Sequence, residues 1–194
     1  MKKSVTLYIL LLALSIGVLF LLNLFLGSVD IPFRSIWYIL WGMDEGESVI
    51  WQNIIWKSRV PQALTAMVAG AGLAVSGLQM QTVFRNPLAG PSVLGISSGA
   101  SLGVAFVVLL SGSIGGIALS RLGFMGEIAL TMAAIIGALS IMALIVYVSQ
   151  KVHGNVTLLI IGVMIGYVAN AVIGVLKFFS VEEDIRAYVI WGLG

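Results

Sequence analysis

Long uninterrupted apolar blocks constrain the fold of this chain more than any other feature. Stretches of about 18 or more apolar residues are typical of helices that cross a lipid bilayer. Of the 194 residues, 60% are hydrophobic and 9% are charged, whereas soluble domains carry about a quarter charged residues. The predicted fold class is therefore an all-α polytopic membrane protein. With no cysteine and a net charge of +2, the chain offers no disulfide, iron–sulfur cluster or nucleic-acid surface.

We predict five membrane-spanning helices, at about residues 5–26, 62–84, 92–110, 128–149 and 156–179. A helix rises 1.5 Å per residue, so the first block is long enough to cross a hydrocarbon core of ~30 Å. Lys2 and Lys3 before this block also fit a signal peptide. The block is longer than the about 7–15 apolar residues of a signal peptide, and no clear cleavage site follows, which favours a retained anchor helix.

The charges predict which side of the membrane each loop occupies. With the N-terminus in the cytoplasm, the inner segments are purely basic, as the positive-inside rule requires; they contain Lys2, Lys3, Arg85 and Lys151. All eight carboxylates then lie outside or at the outer boundary: Asp30, Asp44, Glu45, Glu47, Glu127, Glu182, Glu183 and Asp184. Basic residues, Arg121 among them, also occur outside. Segment 28–61 is predicted to be a long outer loop, with a short interfacial helix over 31–41.

Small residues recur every four positions in three of the predicted spans. Residues four apart share a helix face, so such rows predict close contact with a neighbouring helix. The rows contain Ala66, Gly70 and Ala74; Gly95, Gly99 and Gly103; and Gly162, Gly166, Asn170 and Gly174. Asn170 is a polar amide inside a span, where facing lipid is costly. It either lines a translocation pathway or forms an interhelical hydrogen bond.

Catalysis and metal binding receive little support from the sequence. Gly95-Ile96-Ser97-Ser98-Gly99 matches the G-x-S-x-G pattern of a nucleophile elbow, but that motif needs a preceding strand and a histidine base. The only histidine, His153, is predicted in a different loop. The acidic run 182–184 is interpreted as a solvated turn rather than a metal site. We therefore predict no enzyme activity, no cofactor and no metal site.

A dense motif lies between the second and third predicted spans. It contains GAGLAVSG at 70–77, Gln81, RNPLAGP at 85–91 and LGISSGA at 94–100. This segment resembles the FecCD-type permeases, the membrane subunits of importers for ferric siderophores, haem and cobalamin. Within the motif, Asn86-Pro87 predicts a tight cytoplasmic turn, because a residue before proline avoids the helical conformation. Pro91 suits the first turn of the next helix.

The resemblance implies an architecture and a set of partners. Such permeases have ten helices per subunit (the type II importer arrangement) and form homodimers in the bacterial inner membrane. They work with two cytoplasmic ATPase subunits and a periplasmic substrate-binding protein. With five predicted spans, this chain is expected to be the N-terminal half of one permease domain, without the C-terminal half. The implied substrate is an iron complex, a ferric siderophore or haem, with cobalamin as the alternative within the family.

Two sets of site residues follow from the resemblance alone. Arg59 matches the first of two family arginines that dock the binding protein. Gln62 replaces the second arginine, and Lys57 partly compensates for its charge. The alternative for Arg59 is a side chain that extends along the outer interface. Gly154, Asn155 and Val156 match a cytoplasmic gate, where a plain turn is the alternative.

Two other function classes were weighed against an ABC importer. A secondary carrier or channel for a small solute is the first alternative, but carriers driven by ion gradients usually keep an ionisable residue inside a span. No predicted span has one near its centre, which favours energy supplied by another subunit. The second alternative is an intramembrane serine hydrolase with Ser97 as its nucleophile.

Overall fold

The computed structural model describes residues 2–43, 46, 48–114, 123–152 and 154–193. Within these ranges every regular element is a helix or helical turn, which confirms the all-α fold class. The elements are α1 (Lys2–Phe25), α2 (Phe33–Leu40), α3 (Val49–Ile54), a π-helical turn (Ile55–Arg59), α4 (Val60–Phe84), a 3-10 turn (Pro91–Leu94), α5 (Ile96–Ile114), α6 (Phe124–Ser149), α7 (Asn155–Phe179) and α8 (Glu182–Leu193). Asp44, Glu45, Glu47, Arg121 and His153, named above, lie outside the described residues.

Four helical runs in the described ranges are long and apolar enough to cross a membrane. They are Val5–Phe25, Val49–Phe84, Phe124–Ser149 and Asn155–Phe179. The chain is thus a multi-pass membrane protein. The predicted third span, 92–110, overlaps α5 (Ile96–Ile114), which begins four residues later than predicted. A 3-10 turn precedes it, and Gly95 between the two has a φ of 74°, a left-handed conformation that ends the turn and that glycine adopts without a steric penalty.

The outer loop predicted over 28–61 also differs from the structure in its second half. Its first half contains α2 (Phe33–Leu40), close to the predicted interfacial helix. From Val49, however, the chain is helical and continues without a break to Phe84. A proline inside a helix removes one backbone hydrogen bond and clashes with the preceding turn. Pro61 lies two residues after the π-helical turn Ile55–Arg59, and such widened turns occur inside otherwise regular helices.

The chain forms two compact units, Met1–Val75 and Ser76–Gly194, called here the N-terminal and the C-terminal unit. The buried core of the N-terminal unit consists of Ile31, Ile36, Ile39 and Ile55. The C-terminal unit has two buried clusters: Val104, Ala105, Val108, Leu109, Ile173 and Tyr188 in one, and Phe84, Ala89, Leu94 and Ile145 in the other. Many large apolar side chains of the long helices remain exposed, as a hydrocarbon environment permits.

Candidate functional site

The turn after α4 closes the helix with a non-glycine residue in a strained conformation. The Arg85 amide donates to the Thr82 carbonyl at 3.4 Å, and the Asn86 amide donates to the Gln81 carbonyl at 3.2 Å. This pair of bonds is the Schellman motif, whose central residue is usually glycine because it is left-handed. Arg85 occupies that position with a φ of 48°, a conformation that is unfavourable for a residue with a Cβ atom.

Side chains of the motif stabilise the Asn86-Pro87 turn from within. The Oδ1 atom of Asn86 accepts a hydrogen bond from the Leu88 amide at 2.9 Å. The Nε2 atom of Gln81 donates to the Pro87 carbonyl at 3.2 Å. Asparagine favours turns because its side chain bonds the backbone two residues on. The tight turn predicted at Asn86-Pro87 is therefore the geometry in the structure, and Gln81 is part of it.

The candidate gate residues lie against this turn. Gly154 precedes α7 with a φ of 113°, and Asn155 is the first residue of the helix. The Nδ2 atom of Asn155 donates to the Val83 carbonyl at 2.8 Å, one residue before α4 ends. Val156 is 69% exposed. The structure thus connects the start of α7 to the end of α4, a pairing between residues 72 positions apart that the sequence analysis did not identify.

Gly95 and Gly162 bring α7 into backbone contact with the 3-10 turn. A Cβ atom added at Gly162 would lie 2.8 Å from the Leu94 Cα atom, and one added at Gly95 would lie 2.9 Å from the Gly162 carbonyl oxygen. Gly166 lies beside them, where an added Cβ atom would meet the Ser98 hydroxyl at 3.4 Å. Gly95 therefore belongs to this contact as a left-handed residue before α5, rather than as part of a regular helical row.

Gly99 and Gly103 face α6. A Cβ atom at Gly99 would lie 2.8 Å from the Gly137 carbonyl oxygen, and one at Gly103 would overlap the Ala133 carbonyl. Ala133 and Gly137 are four residues apart, so the small-residue spacing on α6 was the signal that the sequence analysis missed. Gly174, by contrast, has no atom within 4 Å of an added Cβ position, so the described residues give it no packing partner.

Asn170 and Ser98 form a hydrogen bond between α7 and α5. The Nδ2 atom of Asn170 donates to the Ser98 hydroxyl at 3.5 Å, a long bond by the usual geometry. Of the two interpretations of Asn170, the interhelical bond is the one with a visible partner. Ser97, the candidate nucleophile, follows a 3-10 turn, whereas a nucleophile elbow follows a strand.

Arg59 is buried rather than presented on an outer surface. Its side chain is 5% exposed, and its Nη1 atom donates to the carbonyls of Leu24, at 2.6 Å, and Phe25, at 3.4 Å. Its Nη2 atom donates to the Val29 carbonyl. In this arrangement the guanidinium binds the carbonyl end of α1, and the docking of a binding protein by Arg59 stays a prediction. Lys57, two residues earlier, is exposed.

The acidic run forms the first turn of α8, where Glu182 and Glu183 are exposed and Asp184 is buried. Asp184 is 8% exposed, and no described residue binds its Oδ2 atom. Burial, and then the neighbouring charge of Glu183, raises the pKa of the Asp184 carboxyl above its ordinary value. Near it, the Lys177 ammonium lies 4.6 Å from the centre of the Tyr188 ring, a cation–π distance. No group of three or more metal-ligating side chains occurs among the residues that the structure describes.

A match to a protein family identifies this chain. Residues 12–194 match the FecCD transport family. The chain belongs to this family. The FecCD match includes every site residue described above, from the carbonyl end of α1 to α8. It therefore confirms the resemblance seen in the motif at residues 70–100.

Relatives of this FecCD chain include transport permeases for two kinds of substrate. It is 36% identical over 170 residues to the hemin transport system permease protein HmuU of Yersinia pestis, covering 87% of this chain and 47% of that protein. It is 35% identical over 161 residues to the vitamin B12 import system permease protein BtuC of Pectobacterium atrosepticum, covering 83% and 44%. The chain thus spans about half the length of the curated relatives it matches.

A solved structure shows a similar arrangement of helices. It is described as a metal-chelate type ABC transporter in an inward-facing conformation. The TM-score is 0.67 at 27% sequence identity, with 93% of this FecCD chain and 50% of the solved chain covered. At that level of similarity, the helical fold described here is that of an ABC transporter permease.

Proposed function

We propose that this chain is the N-terminal half of the permease subunit of a binding-protein-dependent ABC importer. In this proposal the permease is a homodimer in the bacterial inner membrane, with its N-terminus in the cytoplasm. Two cytoplasmic ATPase subunits power it and a periplasmic protein delivers the substrate. The chain itself catalyses no reaction. Family membership and the similarity to a solved ABC transporter support this proposal.

The proposed substrate is an iron complex, a ferric siderophore or haem. The hemin permease among the relatives supports this choice, and the vitamin B12 permease makes cobalamin the second candidate. An ATP-driven importer also fits the absence of an ionisable residue near the centre of each predicted span, since ion-coupled carriers usually keep one there.

The observation that carries the mechanism is the hydrogen bond from Asn155 to the Val83 carbonyl. It joins the proposed gate residues, Gly154 to Val156, to the last turn of α4, which leads into the turn at Asn86-Pro87. A gate must have two stable arrangements and a contact that differs between them. A single hydrogen bond at the start of α7, next to a left-handed glycine, can break and re-form at modest cost. We infer that this bond holds the gate in the state seen here.

Of the two proposed docking residues, Arg59 and Lys57, Lys57 is the exposed one. An exposed lysine at the rim of an interface steers a negatively charged partner more than it adds affinity. Arg59 instead stabilises the segment that carries Lys57, because its guanidinium binds the end of α1. We therefore expect Lys57→Glu to slow association with the binding protein mainly at low salt, where surface charges are least screened.

The deciding experiment reconstitutes the full-length permease with its ATPase and binding protein in proteoliposomes. Uptake of radiolabelled ferric siderophore, haem and cobalamin is measured with ATP and with a non-hydrolysable analogue inside. ATP-dependent uptake of one iron complex is expected. Equal uptake with the analogue would contradict the proposal and favour a secondary carrier or channel. Uptake of cobalamin alone would support the proposal of an ABC importer and contradict the proposal of an iron complex as its substrate.

A further inference from the structure

The buried guanidinium of Arg59 lies beside a polar cavity in the N-terminal unit. Its three hydrogen bonds in the described chain all go to neutral backbone carbonyls. A buried charge without a counter-ion is costly, so this position favours an anion. Arginine has five N–H donors, and the Nε donor takes part in none of the three bonds. The guanidinium therefore retains capacity for a further acceptor.

The cavity itself has a volume of about 450 Å³ and a polar lining. Besides Arg59, the polar side chains that line it are those of Asn23, Ser28, Ser58 and Gln62. The described residues give the buried Oδ1 atom of Asn23 no hydrogen-bond partner. Hydroxyl and amide groups around a guanidinium are donors and acceptors suited to an anionic headgroup and its ester oxygens.

The position of this cavity along the bilayer normal follows from α1, the helix that Arg59 binds. The candidate membrane span in α1 is Val5–Phe25, which has 21 residues. At 1.5 Å per residue, such a span crosses a hydrocarbon core of about 30 Å, so its last residues reach the headgroup region. Arg59 contacts the carbonyls of Leu24 and Phe25. The guanidinium therefore lies at headgroup depth, whichever way the chain is oriented.

A second cavity extends from this point toward the membrane centre. It has a volume of about 290 Å³ and is lined by Ile16, Leu19, Phe20, Asn23, Ala63, Ala66 and Met67. Asn23 lines both cavities. The apolar α1 residues of this groove precede Leu24 by four to eight positions, which places them roughly 6–12 Å deeper. The groove is thus an apolar continuation of the polar cavity.

We propose that the N-terminal unit binds one phospholipid molecule at these joined cavities. The phosphodiester lies near the Arg59 guanidinium, and one acyl chain occupies the groove beside Ala66 and Met67. A free anion would leave the groove unused, and a hydrocarbon alone would leave the guanidinium without a counter-ion. An amphiphile with an anionic phosphate satisfies both parts. This site is independent of the transported substrate and of the proposed gate.

Native mass spectrometry of the purified full-length permease tests the proposal. After delipidation, the protein is offered phosphatidylglycerol, diacylglycerol with identical acyl chains, or inorganic phosphate. We expect one retained phosphatidylglycerol, bound about tenfold or more tightly than diacylglycerol, because a hydrogen bond to a charged group contributes that much to affinity. Inorganic phosphate should not compete. Equal retention of diacylglycerol, or competition by phosphate alone, would overturn the proposal.

A matched pair of variants on α4 tests the groove. Ala66→Phe fills the groove and should reduce phosphatidylglycerol retention about tenfold. Val68 is 74% exposed and does not line the groove, so Val68→Phe should retain the lipid. Loss of lipid in both variants, or in neither, would contradict the site.

Cross-linking identifies the occupant independently of these substitutions. A photoreactive methionine analogue at Met67 is activated in native membranes, and the adduct mass is measured. We expect a phospholipid adduct. A cross-link to another peptide of the same permease would show that protein fills the groove, and would overturn the proposal.

Discussion

The two units of this chain hold their helices together in different ways. In the N-terminal unit, one buried side chain, Arg59, binds the carbonyl end of α1 through hydrogen bonds. In the C-terminal unit, glycines bring α5 into backbone contact with α6, and α7 into backbone contact with the 3-10 turn. In the N-terminal unit a polar contact thus holds α1. In the C-terminal unit helices approach closely because glycine has no side chain.

This difference reflects the physics of helix association in lipid. Lipid tails are as apolar as leucine, so helices gain little by hiding apolar surface from them. Close backbone packing and hydrogen bonds are the remaining sources of stability. The C-terminal unit uses the first along Gly99 and Gly103, and the N-terminal unit uses the second at Arg59. In the C-terminal unit, adding a side chain at a contact glycine should therefore destabilise the fold. In the N-terminal unit, removing the donor groups of Arg59 should destabilise it.

The largest expected effect is at Gly103. Gly103→Ala places a Cβ atom against the Ala133 carbonyl. Because relieving this overlap requires the backbone of α6 to shift, we expect the free energy of unfolding to fall by about 3 kcal/mol. Gly174 on α7 has open space, so Gly174→Ala should stabilise the chain by up to about 1 kcal/mol through helix propensity. Thermal unfolding in detergent measures both, and equal effects would contradict backbone packing.

The next effect tests the N-terminal unit. Arg59→Gln removes the charged donors and leaves the carbonyls of Leu24 and Val29 without their present partner, which should cost about 2–3 kcal/mol. Lys57→Gln, on the exposed face two residues away, should change stability by less than about 0.5 kcal/mol. Limited proteolysis between α1 and α2 reports the loss locally. If both variants resist proteolysis equally, the arginine does not hold α1.

A smaller effect compares two hydrogen bonds of the C-terminal unit. Asn155→Ala removes a bond of 2.8 Å to the Val83 carbonyl and should cost about 1 kcal/mol. Asn170→Ala removes a bond of 3.5 Å to Ser98 and should cost less than about 0.6 kcal/mol, the average for hydrogen bonds between membrane helices. Chemical unfolding gives both values. A larger loss at Asn170 would mean that polar bonds, rather than glycine contacts, dominate this unit.

The smallest effect concerns pH and Asp184. Burial raises the pKa of this carboxyl in the folded state above its ordinary value of 3.8. The folded state therefore disfavours the charged form, and stability is lost as the pH rises from 3.8 through the folded-state pKa. At pH 7, Asp184→Asn should therefore be more stable than the natural chain. The difference should vanish below pH 3.8; a difference that persists there would exclude titration as its cause.

Much of the fold was predictable from local patterns. Apolar blocks located α1, α6 and α7 because a bilayer imposes both length and composition on a helix. The small-residue rows identified Gly99, Gly103 and Gly162 as candidates for close contact. The same reasoning misplaced the start of α5, because a left-handed Gly95 looks like any other glycine in a sequence. It also placed residues 49–61 in a loop, although this segment is helical and continuous with α4.

The candidate site was less predictable than the fold. The resemblance named Asn155 and Asn86, but not the Val83 carbonyl that Asn155 binds, since backbone acceptors carry no sequence signal. It also named Arg59 as a docking residue, but not the carbonyls of α1 to which the buried guanidinium donates. Charge in a sequence reveals that an arginine needs a partner. It does not reveal whether that partner is another protein or the end of a nearby helix.

The sequence by itself determined that this protein is a helical, membrane-embedded member of a permease family. Hydrophobicity, helix length and a local motif are properties of the chain alone, and the bilayer acts on them directly. Only the tertiary structure decided which carbonyls Arg59 and Asn155 bind and which glycines touch another backbone. Those contacts join residues far apart in the chain, and their energies depend on distances of a few ångströms that no local pattern encodes.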